Sequence, residues 1–196
     1  MKRLFLYMPK SVLFDREKVV EDVMELFWRK GYNGTSMQDL VDVTGLNRSS
    51  LYNSFGDKFS LFQEAMTHYR KIQNEDMNRL IANSKSPKEA IESLFKGISK
   101  EVALGEATKG CFLSNCTSEL GSLDDKVKNF LVENKDQMVL IFQNLISQAQ
   151  KNGEIDPSKN AKHLALFLFS SINGLRITSL IETDIQGVTD QILNSL

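Results

Sequence analysis

The chain has 196 residues, 41% of them hydrophobic, with 12 Phe, 11 Gly and 3 Pro. That is enough apolar material for a sizeable core, with no low-complexity tract. Its 24 Lys and Arg against 25 Asp and Glu leave a net charge of −1, which excludes a polycation that coats nucleic acid through bulk charge. Two cysteines, Cys111 and Cys116, exclude a disulfide framework by number and spacing and fit a reducing, cytoplasmic compartment.

The opening MKRLFLYMPK carries two basic residues and then a five-residue apolar run. That run is shorter than a signal-peptide core, no small-residue cleavage site follows, and no later stretch approaches a membrane span. Met8 offers an alternative start, which would make the first seven residues an upstream extension. Val19, Val20, Val23, Met24, Phe27 and Trp28 then repeat at helical spacing. Asp15 is the expected N-cap, Arg29 and Lys30 complement the C-terminus, and Gly31 supplies the stop.

Thr35 is the expected cap of the second helix, with Gln38 completing a capping box. Met37, Leu40, Val41 and Val43 give that helix an apolar side, and Gly45 ends it. Asn47 caps a third short helix that turns Leu51 and Phe55 inward and closes at Gly56-Asp57. A longer helix runs from Lys58 toward Leu80. Pro87 suits the first turn of the next, which continues to about Leu104. Cys111 to Leu120 reads as a short apolar helix, and Asp124 starts a long one that ends at Gln150. The last main helix, about Ser158 to Glu182, is apolar on nearly all sides, so burial on every side is expected. No alternating apolar run marks a strand. The fold class is all-α, about nine helices, with no repeat.

Chemistry concentrates between Thr35 and Lys58. The third helix leaves Arg48, Ser49, Ser50, Tyr52 and Asn53 facing outward, where an ordinary solvated helix carries Glu, Lys and Gln. These side chains can read base edges or grip phosphates. The spacing alone also fits an ordinary helical hairpin with a polar surface. Residues 1–58 hold nine Lys and Arg against eight Asp and Glu, so DNA binding would need placed contacts and a dimer.

Gly31-Tyr32, Thr35-Ser36, Asp39-Leu40, Thr44-Gly45-Leu46, Ser50-Leu51-Tyr52, Phe55 and Lys58 together resemble the signature of tetracycline-repressor-type (TetR/AcrR) regulators over about 45 residues. Asn53 stands where many members have His, and Ser54 where many have an aromatic. The segment Gly110–Asn115, GCFLSN, also resembles one found in many members.

The resemblance implies a homodimeric, ligand-responsive repressor of a pseudo-palindromic DNA operator. Residues 1–58 would form the helix-turn-helix DNA-binding domain and 59–196 a helical ligand-binding and dimerisation domain. Asn47, Arg48, Ser49 and Asn53 would approach bases, while Thr35, Ser36, Tyr52 and Lys58 would contact phosphates. A small-molecule effector would enter a pocket lined by Met66, Tyr69, Phe95, Phe112, Asn115 and Phe142. The long helix at 124–150 and the final apolar helix would pair with their partners, with Met138, Leu166, Phe169, Ser170 and Gly174 at the interface.

Other chemistries have less support. A sensor thiol needs nearby positive charge; Lys109 is close to Cys111, but Phe112 and Leu113 point to buried packing for both thiols. His68 and His163 lack partners at metal-ligand spacing. No nucleophile motif or phosphate-binding glycine loop appears, so neither an enzyme nor a cofactor is expected.

Overall fold

The computed structural model describes residues 14–196, and the readings made on residues 1–13, including the alternative start at Met8, lie outside the described residues. Among the described residues there are nine helices and no strand. Helix α1 (Arg16–Lys30) begins where the Asp15 carboxylate accepts from the Lys18 amide, and it ends at Gly31 with φ 73°. Helix α2 (Met37–Thr44) stops at Gly45, whose φ of 67° is left-handed. Helix α3 is Arg48–Phe55. The Asp57 carboxylate accepts from the Ser60 amide and so starts the 26-residue α4 (Lys58–Asn83). Helix α5 (Pro87–Ala103) has its proline in the first turn, where the missing N–H has no partner to lose.

Two apolar cores account for the packing. The first gathers α1, α2 and α3 around Phe27, Leu40, Leu51 and Phe55. It does not stop at Lys58. Leu61, Phe62, Ala65, Met66 and Tyr69 of α4 belong to it, as do Phe112, Leu113, Cys116 and Leu120 of α6 (Phe112–Leu120). Phe62 is fully buried at its centre, edge-on to Phe27 at 5.1 Å and to Phe112 at 6.0 Å. The second core joins the far end of α4, at Met77, to α5, α7 (Asp125–Lys151) and α8 (Ala161–Thr178). Helix α4 is therefore a strut with one end in each core.

Two sequence expectations change here. Helix α8 starts at Ala161, capped by Asn160, and ends at Thr178, shorter than expected. It is followed by α9 (Gln186–Leu193), whose position the apolar pattern did not give. Thr189 of α9 is fully buried, its hydroxyl 2.6 Å from that of Ser99 on α5, which satisfies both groups. The second change concerns burial. Ala165, Leu168 and Leu175 of α8 face the second core, but Leu166, Phe167 and Ile177 are 48%, 44% and 50% exposed. In the single chain an apolar stripe on α8 stays uncovered.

Candidate nucleic-acid interface

Helix α2 is capped by Ser36, not Thr35. The Ser36 hydroxyl accepts from the Asp39 amide at 3.1 Å, and the Ser36 amide donates to the Asp39 carboxylate at 2.8 Å. The box partner is thus Asp39, and Gln38 is free for another task. Lys30 reaches across from α1 to Asp39 at 2.7 Å. The Lys30 ammonium, followed by the Ser36 donors, holds the Asp39 carboxyl well below the usual carboxylate range. A depressed carboxyl contributes stability above its unfolded-state pKa and loses it as pH falls through its lowered folded value. Asp39→Asn is therefore expected to melt at a lower temperature than the wild type at pH 7. The gap should narrow as pH drops below the ordinary carboxylate range, and thermal melts across pH check it.

Thr35 has a different role from the one expected. It is 1% exposed, its hydroxyl donates to Gly31 O at 2.7 Å and its amide to Tyr32 O at 3.3 Å. With both donors occupied inside the turn, Thr35 has none to offer a phosphate. Lys58 is also turned inward. Its Nζ donates to Thr35 O and lies 4.3 Å from the centre of the Tyr32 ring. Burial pushes its pKa down, opposed by the nearby Glu119 and Asp39 carboxylates. Lys58 braces the start of α4 against the turn that precedes α2.

The third helix keeps its outward set except for Ser50, which is half-buried against the N-cap. Asn47 Oδ1 accepts from the Ser50 amide at 2.9 Å and fixes the first turn. Leu51 and Phe55 are buried, while Asn47, Arg48, Ser49, Tyr52 and Asn53 are exposed. Arg48 and Tyr52, like Ser49 and Asn53, are four residues apart and neighbours on one face. Ser36 is exposed at the N-terminus of α2, but its amide and its hydroxyl both donate to the Asp39 carboxylate at 2.8 Å, which leaves the amides of the first turn for an anion. Gln38, expected in the capping box, is instead turned toward α3. Its amide donates to Asp42 at 2.8 Å, and its oxygen lies 3.5 Å from the Arg48 guanidinium, bridging α2 to α3. Its spacing to Asp42 was the available signal of that role.

The residues expected to line an effector pocket do not bound open space together. Met66, Tyr69, Phe95, Phe112 and Phe142 are packed into the two cores, with exposures of 0–8%. Asn115 instead pins the preceding loop by donating to Lys109 O at 3.0 Å. Open space lies elsewhere in the body. A cavity of about 350 Å³ is bounded by Gln73, Met77, Leu94, Cys111, Met138 and Ile172, with the Arg176–Glu101 ion pair, 2.5 Å long, on its wall. A smaller one adjoins it through Cys111, Met138 and Ile172 and reaches Ser114 and Thr117.

Met138 is therefore partly buried on a cavity wall, and Phe169 lines the neighbouring cavity. Leu166, Ser170 and Gly174 lie on the exposed stripe of α8. The two thiols differ, contrary to expectation. Cys116 is buried, which pushes its thiol up, whereas Cys111 is only partly buried and accepts a hydrogen bond from the Tyr69 hydroxyl at 3.6 Å. His68 flanks a surface groove between α1 and α4, and His163 is exposed on α8.

Comparison with known proteins fits this geometry. Residues 21–65 match the bacterial regulatory proteins of the tetR family, and residues 87–191 match the tetracyclin repressor-like C-terminal domain. The HTH-type transcriptional repressor ComR of Escherichia coli (strain K12) is 30% identical over 168 residues, covering 85% of this chain and 80% of ComR. The uncharacterized HTH-type regulator YezE of Bacillus subtilis (strain 168) is 27% identical over 96% of this chain and 98% of its own length.

Among solved structures, a cysteine mutant of the TetR family regulator CifR, complexed with 26bp double-strand operator DNA, superposes with a TM-score of 0.80 at 22% identity. The match covers 96% of this chain and 99% of that one. A TetR regulator from Chloroflexus aurantiacus J-10-FL superposes with a TM-score of 0.82 at 21% identity, covering 91% and 92%. With a helix-turn-helix head on a helical body, and matches that span both, this chain belongs to the TetR family of bacterial transcriptional regulators.

Proposed function

We propose that the chain acts, without enzymatic activity, as a cytoplasmic homodimeric repressor that binds a pseudo-palindromic DNA operator and is released by a small molecule. The observation that carries this reading is the outward face of α3, where Arg48, Ser49, Tyr52 and Asn53 are exposed while Leu51 and Phe55 anchor the helix from behind. A helix held that way enters a major groove with its N-terminal turn against base edges. Arg48, steadied by Gln38, is the side chain suited to a bidentate contact with guanine. Asn47 offers its amide NH2, since its oxygen caps the helix. Tyr52 suits a phosphate at the rim, and a phosphate at the start of α2 would meet the first-turn amides that follow Ser36, whose own amide and hydroxyl are given to Asp39. The role of a repressor is the one that the name of ComR carries, and the operator complex of CifR supports the DNA partner.

In this reading residues 1–58 supply the DNA contacts, and residues 59–196 supply the dimer and the effector cavity. Two recognition helices about 34–36 Å apart would meet successive major grooves. The near-neutral charge of the chain makes the second copy necessary for affinity. The cavity bounded by Gln73, Cys111 and Ile172 would hold the effector. Its walls include α4, so an occupant can shift the strut that joins the two cores. Moving the population from mostly bound to mostly free requires roughly 5 kcal/mol of differential affinity.

Selection of duplexes from a random pool by the wild-type chain, followed by footprinting, tests the reading. A two-fold symmetric site is expected, and failure to enrich any sequence would sink it. Arg48→Ala is expected to lose about 1–3 kcal/mol on the selected site and to relax specificity at one position in each half. An unchanged affinity and footprint would remove Arg48 from the contact set.

A further inference from the structure

The turn between α1 and α2 is held from the body by a residue outside every motif named so far. Glu119, in the last turn of α6, accepts from the Tyr32 amide through Oε2 at 2.9 Å and from the Asn33 amide through Oε1 at 2.7 Å. Gly31 makes room for it. A Cβ at Gly31 would lie 2.9 Å from Glu119 Oε2, and its φ of 73° is also strained for a side chain. Within five residues the same turn carries the Thr35 hydroxyl on Gly31 O, the Lys58 ammonium on Thr35 O and the Ser36 cap of α2. Glu119 thus reaches the N-terminus of α2 and the first residue of α4 through a continuous run of hydrogen bonds.

The other end of α6 faces the effector cavity. Cys111, at its N-cap position, bounds both adjoining cavities, and Ser114 and Thr117 line the smaller one. Ser114 also bonds Asn173 of α8 at 2.5 Å. The helix is nine residues long, and Phe112, Cys116 and Leu120 seat its opposite face in the core of the head. A displacement of its cavity face must therefore be felt at Glu119.

We propose that Glu119 is a positioning residue that couples α6 directly to the DNA-reading head through the Tyr32 and Asn33 amides, a route separate from the α4 strut. This inference rests on the operator-binding reading in its DNA arm. Binding energies are reciprocal, so DNA on the head must be felt at α6 if the coupling exists.

Amide hydrogen exchange on the wild type, Glu119→Ala and Glu119→Gln, with and without a duplex selected by the wild-type chain, tests it. In the wild type the duplex is expected to slow exchange across 36–55 and also across 112–120. In Glu119→Ala only 36–55 should respond, with Glu119→Gln, which keeps its size and one acceptor, in between. A response at 112–120 that persists in Glu119→Ala, or that is missing from the wild type, overturns the proposal. If Glu119→Ala does not fold, the same comparison is made on Glu119→Gln, and an undiminished response at 112–120 there overturns it. If the wild type selects no duplex, the operator reading fails and the coupling is judged without DNA. Glu119→Ala, or Glu119→Gln in its place, should then speed exchange at Tyr32 and Asn33 and across 112–120 together, by about tenfold in the Ala variant. Faster exchange confined to the turn, or none, overturns the proposal.

Discussion

Phe62→Ala is expected to destabilise the chain by about 3–5 kcal/mol, a large share of the roughly 5–15 kcal/mol that holds a typical domain folded. Phe62 is fully buried and contacts rings from four directions: Phe27 of α1, Tyr32 in the turn, Phe59 of its own helix and Phe112 of α6. Removing it empties the place where the reading head, the strut and the coupling helix meet, and close-packed neighbours on three separate helices cannot all collapse into the space. The lone Trp28 lies edge-on to Tyr69 at 5.0 Å in the same core, so its fluorescence in a urea titration reports the loss. The midpoint should fall with the slope unchanged. A loss below about 1 kcal/mol would mean that the core relaxes around the cavity, and that the ring cluster does not tie head to body.

That cluster also explains which parts of the molecule the sequence could specify. Helix periodicity and caps located the head well, because Asp15, Gly31, Gly45, Asn47 and Gly56 act within a few residues of where they stand. The outward set on α3 was legible for the same reason, since Leu51 and Phe55 fix the helix rotation. Thr35 and Ser36 show where local signals end. Both carry hydroxyls and either can cap a helix; Thr35 turns inward to Gly31 O, which leaves the cap to Ser36.

Periodicity could not separate Met66, Tyr69, Phe95, Phe112 and Phe142, which fill the cores, from Gln73 and Ile172, which bound open space. Both groups face inward, and a cavity exists only where side chains from several helices fail to meet. Glu119 was beyond reach because its partners are 86 and 87 residues away and are backbone amides, which leave no residue pattern.

A negative charge on the uncovered stripe of α8 is expected to abolish dimerisation and, with it, tight operator binding. Leu166, Phe167, Ser170, Gly174 and Ile177 follow three- and four-residue spacing, and all are exposed in the single chain. A contiguous apolar stripe of this kind marks an interaction surface, and a second copy is the partner that a symmetric operator requires. Phe167→Glu should leave the fold of the subunit intact, since the residue is already 44% exposed, yet sedimentation should show a monomer. Losing the second reading head removes the effective-concentration gain, about 10²–10⁴ in affinity, while weak half-site binding remains.

Gly174→Met separates this from damage to the subunit. A Cβ at Gly174 meets nothing within 4 Å, so the larger side chain has room in the single chain. Replacing a mid-helix glycine should raise the subunit's own stability by up to about 1 kcal/mol. In a dimer packed closely at Gly174 the same side chain must push the partner helix away. A Gly174→Met chain that melts higher yet dissociates more readily would place the interface on α8. One that melts higher and stays fully dimeric would move the interface elsewhere.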